Sequence, residues 1–389
     1  MYNQIIIFYN TLLDAYGEWG LALVGVVLLT LGIQLYYYAK RYARLPKHRT
    51  AQREVATTAT PPVSIVLTMG EDYLWLENTL PLLLAQEYPC YEIVVVYVGN
   101  DGEFAEMLQD LSASVSSDKC RMTCTQIRQL RFPITAKTAH NVGIKAAKHE
   151  NILLTTTDMI LPASSRGWLA KVAVGFSRGS VVLTYCGIEA KKKFGDRLIR
   201  TSQMMHATAE LSSAIAGVTY KASRQLYGFT KELYFSHKGF GFLNMGARGE
   251  EDLFVQQIAR PDNTCVILSP STSVRRKRWG GIAWWVRTLR EQAFTHKLYP
   301  AAALRHMMWE PLSRLLFFIS TIAALVVMPD EIRIAVAVLM VVRYAVVWRT
   351  MYGISRRFGE KGLMTWYFFY DMLSPVVHFV AARPKNNKK

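Results

Sequence analysis

From about Trp19 to Tyr38 the chain runs WGLALVGVVLLTLGIQLYYY without a charge. An α-helix needs about 20 apolar residues to cross the hydrocarbon core of a bilayer, so this stretch predicts a membrane span. A cleaved signal peptide fits less well, because no positive charge precedes the apolar run and no small-residue cleavage site follows it. Tyr36, Tyr37 and Tyr38 would sit at headgroup level, and Lys40, Arg41, Arg44, Lys47 and Arg49 follow them. The positive-inside rule then sets the amino terminus outside and everything after Lys40 in the cytoplasm. Two further apolar stretches, Leu312 to Met328 and Ile334 to Trp348, flank the short link Pro329-Asp330-Glu331. They predict a helical hairpin that returns the chain to the cytoplasm at Arg349, Arg356 and Arg357. Within it Arg333 can snorkel, whereas Arg343 has to face protein or a polar cavity. A last stretch, Thr365 to Ala382, carries Asp371, Pro375 and His378 and precedes the basic tail RPKNNKK. Spanning would put that tail on the wrong side, so an interfacial or re-entrant helix is expected.

Between these segments the period changes. Residues 51–60 are polar and rich in Thr and Ala, and Pro61-Pro62 punctuates them as a linker. Val63 to Met69 (VSIVLTM), Tyr91 to Val98 (YEIVVVYV) and Ile152 to Thr156 (ILLTT) are continuous apolar runs, as strands buried on both faces are. Asp72 to Gln86, with Leu74, Leu80, Leu83 and Leu84, and Ala136 to Lys148 read as helices. Strand–helix–strand order predicts a parallel sheet with right-handed crossovers. Ligands of such sheets bind outside the carboxyl ends of the strands, which makes the residues just after each strand the ones to examine. The chain divides into an anchor (1–40), a basic juxtamembrane linker (41–61), an α/β domain (62–300) and a C-terminal membrane region (301–389).

Charge narrows the partners. The balance is +17, from 46 Lys and Arg against 29 Asp and Glu. The basic residues crowd beside the apolar segments, which reads first as membrane topology and contact with anionic lipid. No nucleic-acid-binding module is recognisable, so nucleic acid is not expected as a partner. Five cysteines, Cys90, Cys120, Cys124, Cys186 and Cys265, show no CxxC pair and no zinc spacing, so neither a disulfide framework nor a structural metal is expected.

Four segments together resemble the glycosyltransferases of family 2, with the nucleotide-sugar-binding fold called GT-A, a Rossmann-like mixed sheet. They are LPLLLAQEYPCYEIVVV (Leu80 to Val96), AKTAHNVGIKAAKHENILLTTTDMILP (Ala136 to Pro162), GFTKELYFSHKGF with GEEDLFVQQIA (Gly228 to Phe240 and Gly249 to Ala259), and RRKRWGGIAWWVRTLREQ (Arg275 to Gln292). One anterior helix and a posterior hairpin resemble membrane-anchored members from Bacteroidetes-type bacteria.

The resemblance implies roles for individual residues. Asp158 falls where the family carries Asp-x-Asp, whose carboxylates hold a divalent cation, magnesium or manganese, against the donor diphosphate. The first acid is replaced by Thr156, and the plain alternative for Asp158 is a turn aspartate. Inverting transfer needs a base to take the acceptor hydroxyl's proton. The resemblance gives that role to Asp252, with Glu251 and Glu250 orienting it or the acceptor; the alternative is an acidic first helical turn favoured by the dipole. Lys137 resembles a lysine that approaches the donor. Glu71 follows the first strand where an acid meets the base or ribose, and Asp101 is the nearest substitute for the acid that Val98 replaces after the second. Tyr97 there offers a ring for stacking. Trp284 and Trp285, with Arg287 and Arg290 one turn apart, occupy the region that holds the leaving nucleotide and the acceptor. Thr288 and Glu291 depart from the family's Gln-x-x-Arg-Trp motif. An amphipathic interfacial helix is the equal alternative there, and Arg275 to Arg278 read as membrane-surface charges. His237 reads as a satisfied loop histidine.

The implied activity is inverting transfer from a nucleotide-sugar donor to a lipid-linked or cell-surface polysaccharide acceptor at the inner leaflet of a bacterial cytoplasmic membrane. A non-catalytic member within an envelope-glycan assembly complex is the alternative from another class. A processive synthase with its own channel is the third, disfavoured by the few posterior helices.

Overall fold

The computed structural model describes residues 2–48, 60–115, 117, 119–129, 134–162, 165–241 and 249–382, with side chains from residue 17 to residue 377. Arg49, most of the 51–60 linker, the side chain of His378 and the tail RPKNNKK lie outside the described residues.

The apolar runs form the strands β1 (Val63–Met69), β2 (Tyr91–Val98), β3 (Cys120–Ile127) and β4 (Asn151–Thr156), all parallel where they pair. After β4 come β5 (Met159–Ile160), β6 (Val181–Thr184), β7 (Cys186–Ile188), β8 (Leu226–Thr230), β9 (Thr264–Ile267) and β10 (Val274–Arg276). The seven-stranded sheet has the order β3-β2-β1-β4-β8-β6-β9, and β8 runs antiparallel to both neighbours. A small sheet, β5-β10-β7, stands beyond the end of β4. The first five residues of β1 are buried, as are the first seven of β2, because helices cover both faces. One of these, Ala136–Ala146, lies so close that a Cβ on Gly143 would stand 2.6 Å from a Val66 methyl and 2.9 Å from one of Val96. The single helix expected from Asp72 to Gln86 is two, Tyr73–Asn78 and Leu80–Leu84, with Pro81 opening the second where its missing N–H costs nothing.

Among the described residues, three helical stretches are long and apolar enough to cross a membrane: Gly17–Lys47, Ala301–Val327 and Asp330–Phe358. The last two are the two arms of a hairpin and extend beyond their apolar centres, so that Phe358 packs in the core of the α/β domain. The first ends in a π-helical stretch, Tyr36–Tyr42, whose Tyr37, Tyr38 and Tyr42 are buried with Leu45 against the long helix Asp196–Ile215. One apolar cluster therefore runs from the ends of the candidate membrane-spanning helices into the sheet domain. The last helix, Met364–Ala382, packs on the long helix and on Ile282–His296.

Charges inside the helical region are mutually satisfied. Arg343 is fully buried, donating to Asp371 at 2.6 Å and to the Gln34 side-chain oxygen at 2.8 Å. Arg314 reaches the other Asp371 oxygen at 3.3 Å and Glu310 at 3.4 Å. The Gln34 amide donates to Ser313 at 2.8 Å, and the Tyr38 hydroxyl donates to Glu310 at 3.3 Å. Two cations and two anions, contributed by three helices, leave this cluster neutral. Losing one member strands a charge out of water, at a cost of about 3–5 kcal/mol. Asp371→Leu is accordingly expected to lower the thermal midpoint of the detergent-solubilised protein sharply. Arg343→Met combined with Asp371→Leu should recover part of the loss, because Arg314 and Glu310 still balance; a double variant no better than the single would contradict the pairing.

Candidate active site

The site sits where the large sheet meets the small one, at the carboxyl end of β4. There the chain turns through Thr157 and Asp158 into β5. The Thr156 hydroxyl donates to Asp158 Oδ1, Arg276 Nε donates to Oδ2 at 3.2 Å, and the Gln225 amide stands 3.4 Å from both oxygens. Lys277 N–H closes the turn on the Asp158 carbonyl at 2.7 Å. Arg276 in turn lies over the Trp284 ring, 5.2 Å from its centroid. The Asp158 carboxylate thus has three protein donors.

Asp252 lies deeper. It belongs to the first turn of Glu250–Ile258, a helix that starts from Gly249 in a left-handed conformation (φ 75°). A Cβ at Gly249 would also stand 2.5 Å from a Thr295 methyl, so both backbone and packing require glycine there. Asp252 accepts from Ala222 N–H at 3.3 Å and from the Tyr299 hydroxyl at 2.6 Å. Burial, reinforced by the neighbouring Glu251 carboxylate, pushes its pKa well above the ordinary carboxyl range; Lys221 and the Tyr299 hydrogen bond pull the other way. Glu251 moves up as well, first through burial, with Arg224 opposing. For Lys221 burial favours the neutral form, but Glu210 at 2.6 Å and Asp252 beyond it raise the pKa above its ordinary value.

A cavity of about 390 Å³ joins these groups; Asp252, Glu251, Lys221, Arg224, Arg276 and Trp284 are among its walls. Asp158 is not in the wall, but two of its partners, Gln225 and Arg276, are. The segment 221–225 therefore touches both carboxylates, Ala222 holding Asp252 and Gln225 facing Asp158.

Of the other residues singled out in the sequence, Lys137, Glu250, Trp284 and Trp285 also line the cavity. Trp285 is buried, with its indole N–H on Ser202 at 3.1 Å. Glu71 and Asp101 gather instead around Tyr97, at the ends of β1 and β2 and outside this cavity. The Tyr97 hydroxyl donates to Glu71 at 2.8 Å and accepts from Asp101 N–H at 3.1 Å. Burial, with the Glu71 carboxylate beside it, pushes the Tyr97 phenol up to about 12. Tyr97 is wholly buried, so its ring has no free face for stacking on a base. Arg287 and Arg290 line no part of the cavity, and Arg287 is exposed. Seating Trp285 on Ser202 turns Trp284, Thr288 and Gln292 inward and leaves the two arginines on another face of the helix.

The reading of Arg275 to Arg278 as membrane-surface charges is corrected. Arg275 pairs with buried Glu360 at 2.5 Å, Arg276 with Asp158, and fully buried Arg278 with Asp196 at 2.9 Å. Pairing of β10 with β5 and β7 draws the run inside. His237 is satisfied locally, its ring nitrogen 3.1 Å from both the Leu233 carbonyl and the Ser236 hydroxyl. Lys221, Arg224, Gln225 and Tyr299 have no motif in the sequence to mark them.

No family model and no curated protein matches the chain. Among solved structures, it resembles the mannosyltransferase PcManGT from Pyrobaculum calidifontis, in complex with GDP-Man and Mn2+, with a TM-score of 0.55 and 16% identity over 94% of this chain and 99% of that one. The chain shares the fold of that protein. S. aureus TarS in complex with UDP-GlcNAc aligns more loosely, with a TM-score of 0.40 and 13% identity over 80% of this chain and 91% of that one. At these identities the likeness concerns the fold alone.

A buried acid with a raised pKa makes stability depend on pH. The sign follows from linkage: the contribution is full below the carboxyl's unfolded-state pKa and is lost as pH rises from there through the raised folded pKa. Asp252→Asn, which carries no charge, should therefore gain in thermal midpoint relative to the unchanged protein between about pH 5 and about pH 8. A difference that stays flat across that range would mean that the carboxyl titrates as if in water.

Proposed function

We propose that this protein is an inverting glycosyltransferase that moves a sugar from a nucleotide-sugar donor to an acceptor presented at the membrane. The observation that carries the reading is Asp252: a buried carboxylate of raised pKa in the wall of a polar cavity that also holds Lys221, Arg224 and Arg276. Asp252 takes the proton of the acceptor hydroxyl as its oxygen attacks the anomeric carbon. The bond from that carbon to the diphosphate breaks, and a single displacement inverts the centre. The leaving diphosphate carries away the electron pair toward the cationic wall, where guanidinium groups match phosphate geometry. Glu251 and Glu250 shape the acceptor side, and Trp284 and Trp285 form its apolar floor. Lys137 faces the donor, with Glu71 and Asp101 at the outer rim for the nucleoside; Arg287 and Arg290 have no part in this reading.

The fold neighbour holds GDP-Man and Mn2+, which suggests the same donor class and a divalent cation here. Among the described residues no cluster of three or more His, Cys, Asp or Glu side chains stands ready for a metal. Asp158 with the Thr156 hydroxyl still fits magnesium or manganese, which bind through one carboxylate when phosphates and water fill the remaining positions. Such an ion neutralises diphosphate charge as a Lewis acid. Arg276 and a cation would compete for the same Asp158 oxygen. The family 2 resemblance, the lipid-linked or surface-polysaccharide acceptor, and the bacterial inner membrane with a cytoplasmic catalytic domain belong to the same proposal. The basic residues after the first span support that orientation.

One observation favours a non-catalytic alternative: Thr156 replaces an acid, and the remaining Asp158 is engaged by Arg276. Calorimetry separates the readings. Nucleoside diphosphate with Mn2+ should bind the unchanged protein at least ten times more tightly than Asp158→Asn, and chelation should bring the two together. Binding of no nucleotide under any condition would leave the non-catalytic reading standing.

Asp252→Asn should abolish transfer while expression and membrane insertion persist; full transfer in that variant would remove the base. Tyr299→Phe removes a donor that favours the ionised form, so the pH below which transfer falls off should move upward. An unchanged profile would detach Tyr299 from the base.

A further inference from the structure

A second cavity, of about 430 Å³, lies beside the first and is mostly apolar, although the paired Glu310 and Arg314 also line it. Besides Tyr42 of the π-helical stretch and the Tyr220–Lys221 segment, four helices wall it. The long helix gives Met205 and Ala209, Ile282–His296 gives Ala293, the first arm of the hairpin gives Leu304 and Leu315, and the last helix gives Tyr370. Five residues, His206, Glu210, Lys221, Leu289 and Gln292, line both cavities, so the two are adjacent chambers with a polar junction. Beside it Tyr299, the partner of Asp252, packs with Ala303 against Leu304 and Met307. The hairpin arm that forms one wall is a candidate span, and its Met308 and Leu312 are at once groove-lining and exposed.

We infer that this apolar chamber seats the hydrocarbon chain of a lipid-linked acceptor, with the lipid's polar head at the junction of Lys221, His206 and Gln292 and its sugar beside Asp252. The inference rests on the transferase reading and adds the acceptor's chemical class and binding place to it. Three facts select this occupant. A free polysaccharide has no apolar part to displace water from such walls, whereas each buried methylene of a lipid contributes about 0.8 kcal/mol. The chamber is walled by a candidate membrane helix, so a lipid can reach it without crossing water. The polar junction leads directly to the wall that carries the base, which places a head-group sugar next to the carboxylate once the chain is seated.

The test uses the full-length protein in lipid nanodiscs, with farnesyl phosphate bearing a diazirine at the distal end of its chain as the probe. Photolabel should map to the chamber-lining stretches 304–315 and 205–209, and tenfold excess of unlabelled farnesyl phosphate should suppress it while phosphatidylglycerol does not. Ala293→Trp fills the chamber from one wall and Ala209→Trp from another, and either should lower labelling at least tenfold. Nucleoside diphosphate release from donor hydrolysis should remain unchanged in both variants, which also reports that they are folded. Label spread evenly over the outer faces of the hairpin, equal competition by phosphatidylglycerol, or undiminished labelling in both variants would overturn the inference. Donor hydrolysis by the unchanged protein alongside any of those results would leave the transferase reading intact. Absence of any donor turnover or binding would defeat that reading instead.

Discussion

Two carboxylates, Asp252 buried and Asp158 half-buried, have to find donors, and one short segment supplies them to both. Ala222 gives its backbone N–H to Asp252, and Gln225 turns its amide toward Asp158. Just before them Lys221 meets Glu210, and between them Arg224 joins Glu251 in the cavity wall. The segment connects the long helix to β8, which lies antiparallel beside β4 in the middle of the sheet. Its position is therefore fixed at one end by ladder hydrogen bonds, while the carboxylates fix its middle. A buried acid without such donors would cost several kcal/mol or stay protonated. The segment itself lines the cavity from Lys221 to Gln225, with Asp252 in the wall and Asp158 behind Gln225 and Arg276.

The membrane region is built into that arrangement. Glu360, just past the hairpin, is buried with Arg200 at 2.6 Å, Arg275 at 2.5 Å and the Tyr185 hydroxyl at 3.0 Å. Arg275 belongs to β10, and the next residue is Arg276, which holds Asp158. A Cβ on Gly187 would stand 2.6 Å from a Glu360 carboxylate oxygen and 2.8 Å from an Arg275 guanidinium nitrogen, so this ion pair lies directly against the β7 backbone at the glycine. The end of the hairpin thus fixes the strand that carries the cationic side of the site. Since the apolar core is continuous from Tyr38 through Met351 to Phe229, the helices and the sheet pack as one body.

The sequence showed β1, β2 and β4 plainly because parallel strands buried on both faces leave unbroken apolar runs, and β1 and β2 follow those runs from end to end, whereas β3, β6, β8 and β9 were not read from it. Asp158 and Asp252 were singled out through the family resemblance, and their places at a strand end and in an acidic first helical turn are local patterns. The groups that complete the site are not. Lys221 and Tyr299 lie far from Asp252 in the chain, and only the fold brings a phenol and an ammonium to one carboxylate. Arg287 and Arg290 show the opposite limit. Their spacing put them on one helical face, but which face turns inward was decided by the seat of Trp285 on Ser202. Arg275 to Arg278 looked like surface charge because pairing partners such as Glu360 and Asp196 cannot be read from composition.

The two chambers divide the labour that the proposed chemistry requires. A nucleotide sugar is polar throughout, and the carboxyl ends of parallel strands offer it turns, backbone donors and fixed charges. A lipid-linked acceptor is polar at one end only, and it meets a polar wall and an apolar one in succession. Asp252 stands in the polar wall, and its partner Tyr299 packs against the apolar one. A base in that position becomes dry when both chambers are filled, and dryness is what raises its proton affinity and keeps water from intercepting the donor. The same burial that makes Asp252 a liability to the folded state suits it to a reaction in which the proton arrives with the acceptor.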